Sequence, residues 1–137
     1  MLAETVLPVP GSVSLPEAGL EIRCRAAEAG EEIHNSFKTY RLKYESIDGN
    51  LTLGPPRAGE RYRPACRGCT KTLKSLFAER RATGREKRRT PVFRDEKGIV
   101  LIPAFGAAER CLPGAGDRLL IIEIRETEKK ETGEKDG

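Results

Sequence analysis

The residues able to do chemistry in this chain are few and widely spaced. Cys24, Cys66, Cys69 and Cys111 are its four cysteines, and His34 is its one histidine. Cys66-Arg67-Gly68-Cys69 forms a C-x-x-C pair. A structural zinc site would need two more ligands at close spacing. A dithiol redox site would need a buried strand before the pair, where Pro64 stands instead. His34 lies on an acidic segment with no mate for acid–base work. Neither G-x-x-x-x-G-K-[ST] nor G-x-G-x-x-G occurs, and Gly114-Ala115-Gly116 precedes a strand rather than a helix, the wrong order for a dinucleotide loop. Glu109 and Asp117 fall in loops without an acid–base partner. Read bare, these residues point to a binding module rather than a catalyst.

Charge is the stronger signal. The chain has 137 residues and a formal net charge of +4. Between Arg57 and Arg89 there are 12 Lys and Arg against Glu60, Glu79 and Glu86, a net of +9, which leaves 13 basic and 18 acidic residues elsewhere, a net of −5. A basic middle on an acidic frame is the footprint of a surface that meets a polyanion. The bland reading is a solvated helix face. Phosphate neutralisation needs cations on one rigid surface, and a helix N-terminus adds oriented N–H groups. The turn Arg67-Gly68-Cys69-Thr70-Lys71-Thr72-Leu73-Lys74 offers both, with Gly68 letting a backbone come close. Arg61 and Arg63 flank Tyr62, which could stack on a ribose or anchor the core. For a duplex RNA such a surface would read shape and backbone.

The elements that must carry these residues are mostly strands. Thr5–Leu7, Ser12–Leu15 and Leu20–Cys24 alternate or are short and apolar, with Pro16-Glu17-Ala18-Gly19 as a hairpin turn. Residues 26–36 are polar and read as a linker. Thr39–Ser46 alternates, Asp48-Gly49-Asn50 turns, and Leu51–Leu53 is a strand stopped by Gly54-Pro55-Pro56. Thr70 reads as an N-cap for a helix from Lys71 to Arg81. Leu73, Leu76 and Phe77 share its apolar face, while Lys71, Lys74 and Arg81 line a basic one. Arg85–Arg89 is a further helical turn, closed before Pro91. Val92–Arg94 and Ile99–Ile102 form a hairpin, and Arg118–Arg125 is the last strand. The class is therefore α+β, layered antiparallel strands with one amphipathic helix and a short second one. The expected division is a strand-rich region at 1–45, a core domain at 46–125 and a disordered charged tail at 126–137. At this length roughly 65–70% of the unfolded surface can be buried. No apolar run approaches the roughly 18 residues of a membrane span. Met1-Leu2-Ala3-Glu4 shows no secretory leader, so a cytoplasmic protein with free thiols and no membrane partner is expected.

Several linked motifs then carry a resemblance. Gly59-Glu60-Arg61-Tyr62-Arg63-Pro64, Gly68-Cys69-Thr70-Lys71-Thr72-Leu73-Lys74-Ser75-Leu76-Phe77, Arg88 with Pro91, and Ile102-Pro103-Ala104-Phe105-Gly106 with Glu109-Arg110 occur in this order. Over residues 50–125 they resemble the C-terminal domain of bacterial tRNA(Ile)-lysidine synthetases. That family carries a G-[DE]-R-[FY]-x-P loop, a G-G-T-K-x-L-K-x-x-F helix start and a V-P-G-x-x-x-x-E-R pattern. The resemblance implies a fold shared with a domain of the phenylalanyl-tRNA synthetase β chain. It also implies a grip on the tRNA acceptor stem. The RNA-binding set becomes Arg61, Arg63, Arg67, Gly68, Thr70, Lys71, Lys74, Arg81, Arg88 and Arg110. The whole enzyme of that family uses ATP and lysine to convert the wobble cytidine to lysidine. Its S-G-G-x-D-S loop has no counterpart here, since Ser-Gly-Gly does not occur. The resemblance thus implies no catalytic residue, no cofactor and no lysidine formation by this chain alone. It implies an N-terminal catalytic domain as a partner and allows a homodimer. Three positions depart from the pattern. Cys69 replaces a Gly, Gly54 stands where Arg is frequent and a phosphate contact would be lost, and Ala104 replaces a Gly. Two other readings stay open. One is a protein-interaction domain docking through Leu73, Leu76 and Phe77. The other is a small metal site on Cys66 and Cys69.

Overall fold

Alternation along the strands decides which side chains go inside. In the computed structural model, which describes residues 4–16, 19–29, 38–65 and 68–126 apart from the Arg88 side chain, eleven short strands are formed. They are β1 (Thr5–Leu7), β2 (Gly11–Leu15), β3 (Leu20–Ala27), β4 (Lys38–Lys43), β5 (Leu51–Gly54), β6 (Arg61–Tyr62), β7 (Lys71–Thr72), β8 (Val92–Asp95), β9 (Gly98–Ile102), β10 (Gly106–Ala107) and β11 (Leu119–Glu126). Two helices, α1 (Leu73–Arg80) and α2 (Gly84–Arg88), sit between β7 and β8. In β3, Ile22 and Cys24 are buried while Arg23 between them is exposed, the period-2 pattern of a strand with one wet face. In β8 all four residues are buried, and in β9 all but Gly98, so this hairpin runs through the middle of the fold.

The strands make a five-stranded sheet in the order β1-β5-β8-β9-β10, a four-stranded sheet in the order β2-β3-β11-β4, and the small pair β6-β7. All pairings are antiparallel. A single apolar cluster joins them, including Leu7, Leu53, Phe93 and Leu101 from one sheet, Ile22, Leu42, Leu120 and Ile122 from the other, and Leu73, Leu76 and Phe77 from α1. The α+β class with layered antiparallel strands and two short helices is therefore the observed one. The boundary expected at 45/46 cuts through both sheets. β11 pairs on one side with β3 and on the other with β4, and β1 is hydrogen-bonded to β5. Apolar strands of the first 43 residues have no sheet of their own to bury their faces in. Glu126, expected to open the tail, is the last residue of β11, and residues 127–137 lie outside the described set, as do 30–36 of the expected linker. No helix among the described residues is long and apolar enough to cross a membrane.

The helix starts later than its sequence suggests. Lys71-Thr72 is strand backbone, paired with Arg61-Tyr62, so Thr70 is not the cap. Thr72 takes that role, its hydroxyl accepting from the Ser75 N–H at 3.1 Å. Leu73 N–H also donates to the Glu60 carbonyl at 2.9 Å, which ties the helix start to the arginine-rich loop. Arg81 closes α1 in the left-handed region, φ 55°. Thr83 then opens α2 with a reciprocal capping box to Glu86, at 3.0 and 2.8 Å. The helix face read as apolar is fully used: Leu73→Ala and Leu76→Ala should each lower stability by about 2–5 kcal/mol in urea denaturation. A loss under about 0.5 kcal/mol would mean that the face is not in the core.

Candidate nucleic-acid interface

The loop that leads into Arg61 is held by a buried charge. Arg94, on β8, is only 4% exposed. Its Nε and Nη2 donate to the two carboxylate oxygens of Glu60 at 2.5 and 2.6 Å, and Nη2 also donates to the Pro55 carbonyl at 2.8 Å. Glu60 in turn accepts from the Arg57 N–H at 3.1 Å. One guanidinium thus fixes both ends of the loop 55–60. Burial alone would push the Glu60 carboxyl up, but Arg94 and the Arg57 N–H overcome this and hold it below its ordinary value.

The next residue anchors a second loop. Asp95 accepts from Arg110 Nη2 and Nη1 at 2.8 and 3.1 Å, and from the N–H groups of Asp48, Lys97 and Gly98. Burial acts upward on this carboxyl too. The Arg110 guanidinium and the Asp48 and Lys97 N–H groups outweigh it, and the net shift is downward. Arg110 also donates to the carbonyls of Ser46, Gly98 and Ile99. It is therefore a structural clasp first, because both terminal nitrogens, Nη1 and Nη2, already face acceptors.

The sequence-derived RNA set divides in two. Arg61, Arg63 and Arg110 come together around a groove of about 490 Å³, joined by Lys97 from the β8–β9 turn. Within it Arg63 pairs with Glu109, so part of its charge is neutralised. Lys71, Lys74 and Arg81 are carried by β7 and α1. Lys71 is bound to Glu79 at 2.8 Å. Lys74 and Arg81 are exposed and have no acidic partner among the described residues. Gly68 has φ 71° and nothing within 4 Å of a Cβ placed there, so it is required by a left-handed turn and not by crowding. Thr70 is exposed beside it. Arg67 and Cys66 lie outside the described residues, as does His34; Arg88 ends α2, and its side chain is likewise outside.

Several expectations change. Tyr62 is 6% exposed and its hydroxyl donates to the Gly106 carbonyl at 3.0 Å, so it anchors the core and does not stack on a ribose. Leu73, Leu76 and Phe77 are spent inside the core and form no docking face. Gly54 is buried, and a Cβ there would lie 2.9 Å from Glu4 Cγ and 3.7 Å from Arg94 Nη1. A larger residue at this position would have to move the Glu4 side chain aside. Arg94, Asp95, Lys97 and Lys87 were not singled out from sequence. The visible signal for the first two was a charged pair directly following Val92-Phe93 on a strand otherwise apolar. Among the described residues no three Cys, His, Asp or Glu gather as a metal site. Cys69 is exposed, whereas burial pushes the Cys24 thiol up to about 12 and raises Cys111 as well, which keeps both protonated and inert.

The two clasped carboxylates make stability acid-sensitive. Both are depressed in the folded chain. Their contribution is complete above the ordinary carboxylate range and is lost as pH falls through the folded values. Urea midpoints should stay level near neutrality and fall below about pH 4. Asp95→Asn should lower the midpoint at pH 7 and flatten that acid limb. An equally steep acid limb in the variant would remove Asp95 as a cause.

With this geometry in hand, comparison with known proteins is direct. A search of curated proteins finds no match. A crystal structure of a TilS C-terminal domain superposes with a TM-score of 0.79 at 23% identity, covering 94% of this chain and all of that one. An N-terminal fragment of the phenylalanyl-tRNA synthetase β-subunit from Pyrococcus horikoshii superposes with a TM-score of 0.52 at 14% identity, over 66% of this chain and 28% of that one. At these identities the two likenesses speak for the fold. The family described as the TilS substrate C-terminal domain matches residues 51–123, from β5 through most of β11 and including the loop, both helices and both clasps. That span is more than half of the 137 residues, and the chain belongs to this family.

Proposed function

We propose that this chain is the tRNA-gripping C-terminal portion of a tRNA(Ile)-lysidine synthetase and that it holds the acceptor stem. In this reading a separate N-terminal catalytic domain uses ATP and lysine to convert the wobble cytidine to lysidine. The chain itself binds neither and is inactive alone. A tRNA partner would place it in the cytoplasm.

One observation carries the reading. Every acid in the basic stretch 57–89 is already engaged: Glu60 by Arg94, Glu79 by Lys71, and Glu86 by the Thr83 capping box. The cations that remain exposed without an acidic partner among the described residues are Arg61, Lys74, Arg80, Arg81, Arg85 and Lys87. An uncompensated set of this kind on short, well-tied elements suits a phosphate backbone, whose contacts position rather than read sequence. Family membership supports tRNA as the RNA; the acceptor stem as the part held is what the sequence resemblance implies.

Fluorescence anisotropy of a labelled tRNA against the 137-residue chain tests this across salt concentrations. Affinity should fall with a log–log slope of about −0.7 to −0.9 per phosphate contacted. A tRNA lacking its acceptor stem should bind weakly. The double variant Arg61→Ala/Lys74→Ala should weaken binding and reduce the slope by about one per lost contact. Parent-like binding by that variant, or binding indifferent to the stem, would overturn the assignment.

A further inference from the structure

The groove formed by the loop 55–59, the start of α1 and α2 has a composition that a duplex does not use. Its volume is about 380 Å³, near the lower end of the roughly 300–1,000 Å³ of sites that take one small ligand. Pro55 and Pro56 form one wall, and Leu73 and Phe77 present their last exposed edges to it. Lys74 from α1 and Lys87 from α2 also line it, both exposed and without an acidic partner among the described residues. Arg57, a third cation of this groove, is compensated by Glu4.

We infer that this groove is a binding site for an unstacked nucleotide at a single-stranded RNA end. The inference rests on the RNA-binding reading above and goes beyond the grip on a stem. A stem shows phosphates outside and keeps its base faces stacked within. It could satisfy Lys74 and Lys87 but would leave the proline wall against solvated backbone. A nucleotide with a free base satisfies both. Its base and ribose cover the proline wall while its phosphates meet the two lysines. An apolar protein segment would fill the wall and strand both ammonium groups. The site is also formed in advance. The Pro55 carbonyl is fixed by Arg94 at 2.8 Å and the Arg57 N–H by Glu60 at 3.1 Å, so little ordering is left to binding.

The test uses three labelled RNA hairpins with the same stem, titrated with the 137-residue chain by anisotropy. One is blunt, one carries a four-nucleotide single-stranded 3′ extension, and one carries an abasic extension of equal length and charge. The extended hairpin should bind about tenfold more tightly than the abasic one, the scale of a single stacked base. Ala58→Glu, at the lip of the groove, should bring that ratio toward one, whereas Lys87→Ala should weaken the extended and abasic hairpins alike and leave the ratio in place. Equal binding of the extended and abasic hairpins overturns the inference while leaving the stem grip standing. A preference that Ala58→Glu retains also overturns it, by placing the base elsewhere. If no hairpin binds, the inference and the stem-gripping function fall together.

Discussion

A guanidinium buried in the middle of a sheet is the constraint on which the basic surface depends. Arg94 stands on β8, whose four residues are all buried. Left alone there, its charge would be very costly; breaking a buried pair by removing one partner typically costs about 3–5 kcal/mol. Glu60 and the Pro55 carbonyl are the partners, and both belong to the loop that leads into Arg61. The cost of leaving Arg94 unpaired therefore becomes a restoring force on that loop. One nitrogen, Nη1, is buried with no hydrogen-bond partner, beside the face of Gly54. Asp95 repeats the device with the opposite sign, drawing Arg110 and three backbone N–H groups onto a second loop. The β8–β9 register shifts between Phe93 and Arg94, the kind of irregularity that re-aims a side chain, just where the buried pair is placed.

These pairs also shape what the outside can do. Glu60, drawn inward by Arg94, no longer compensates the cations around it, and Glu79 is spent on Lys71. The positive surface is thus a by-product of internal pairing as much as of lysine and arginine content. It also explains why an overall charge of +4 understates the local field. Fixed elements matter as well. Lys74 follows a helix start capped by Thr72, and Lys87 sits in α2, which begins with a capping box. Cations on such elements lose less entropy on meeting phosphate than cations on a free loop.

Much of the fold was legible because alternation is a local property. Leu20 to Cys24, Val92 to Ile102 and the last strand all read as strands, and Leu73, Leu76 and Phe77 as a buried stripe, because each pattern repeats within a few residues. Pairing partners were not legible. Nothing local says that β11 inserts between β3 and β4, and so the boundary at 45/46 fell inside a sheet. The same blindness moved the helix cap from Thr70 to Thr72, since a strand partner ten residues upstream claims Lys71-Thr72. For the site, the linked motifs singled out Arg61, Arg63, Lys74 and Arg110 as members of one RNA-binding set. They could not separate a free cation from a committed one. Arg110 lies four residues after Gly106 in a motif, yet its role is set by Asp95, 15 residues earlier. Tyr62 was undecidable for the same reason, its hydroxyl partner being 44 residues away.

The division between committed and free charge separates stability from binding. The Arg94–Glu60 pair is withdrawn from solvent, where added salt screens poorly, whereas Arg61, Lys74 and Lys87 stand in water, where the Debye length at physiological ionic strength is about 8 Å. Salt high enough to strip a polyanion from the surface therefore leaves the clasp that shapes the surface in place. Acid does the reverse. It spares lysines and arginines and attacks Glu60 and Asp95, so the scaffold weakens while the surface grows more positive. A polyanion held on this surface would be released to counterions without risk to the fold, because binding and stability would draw on charges in different dielectric surroundings.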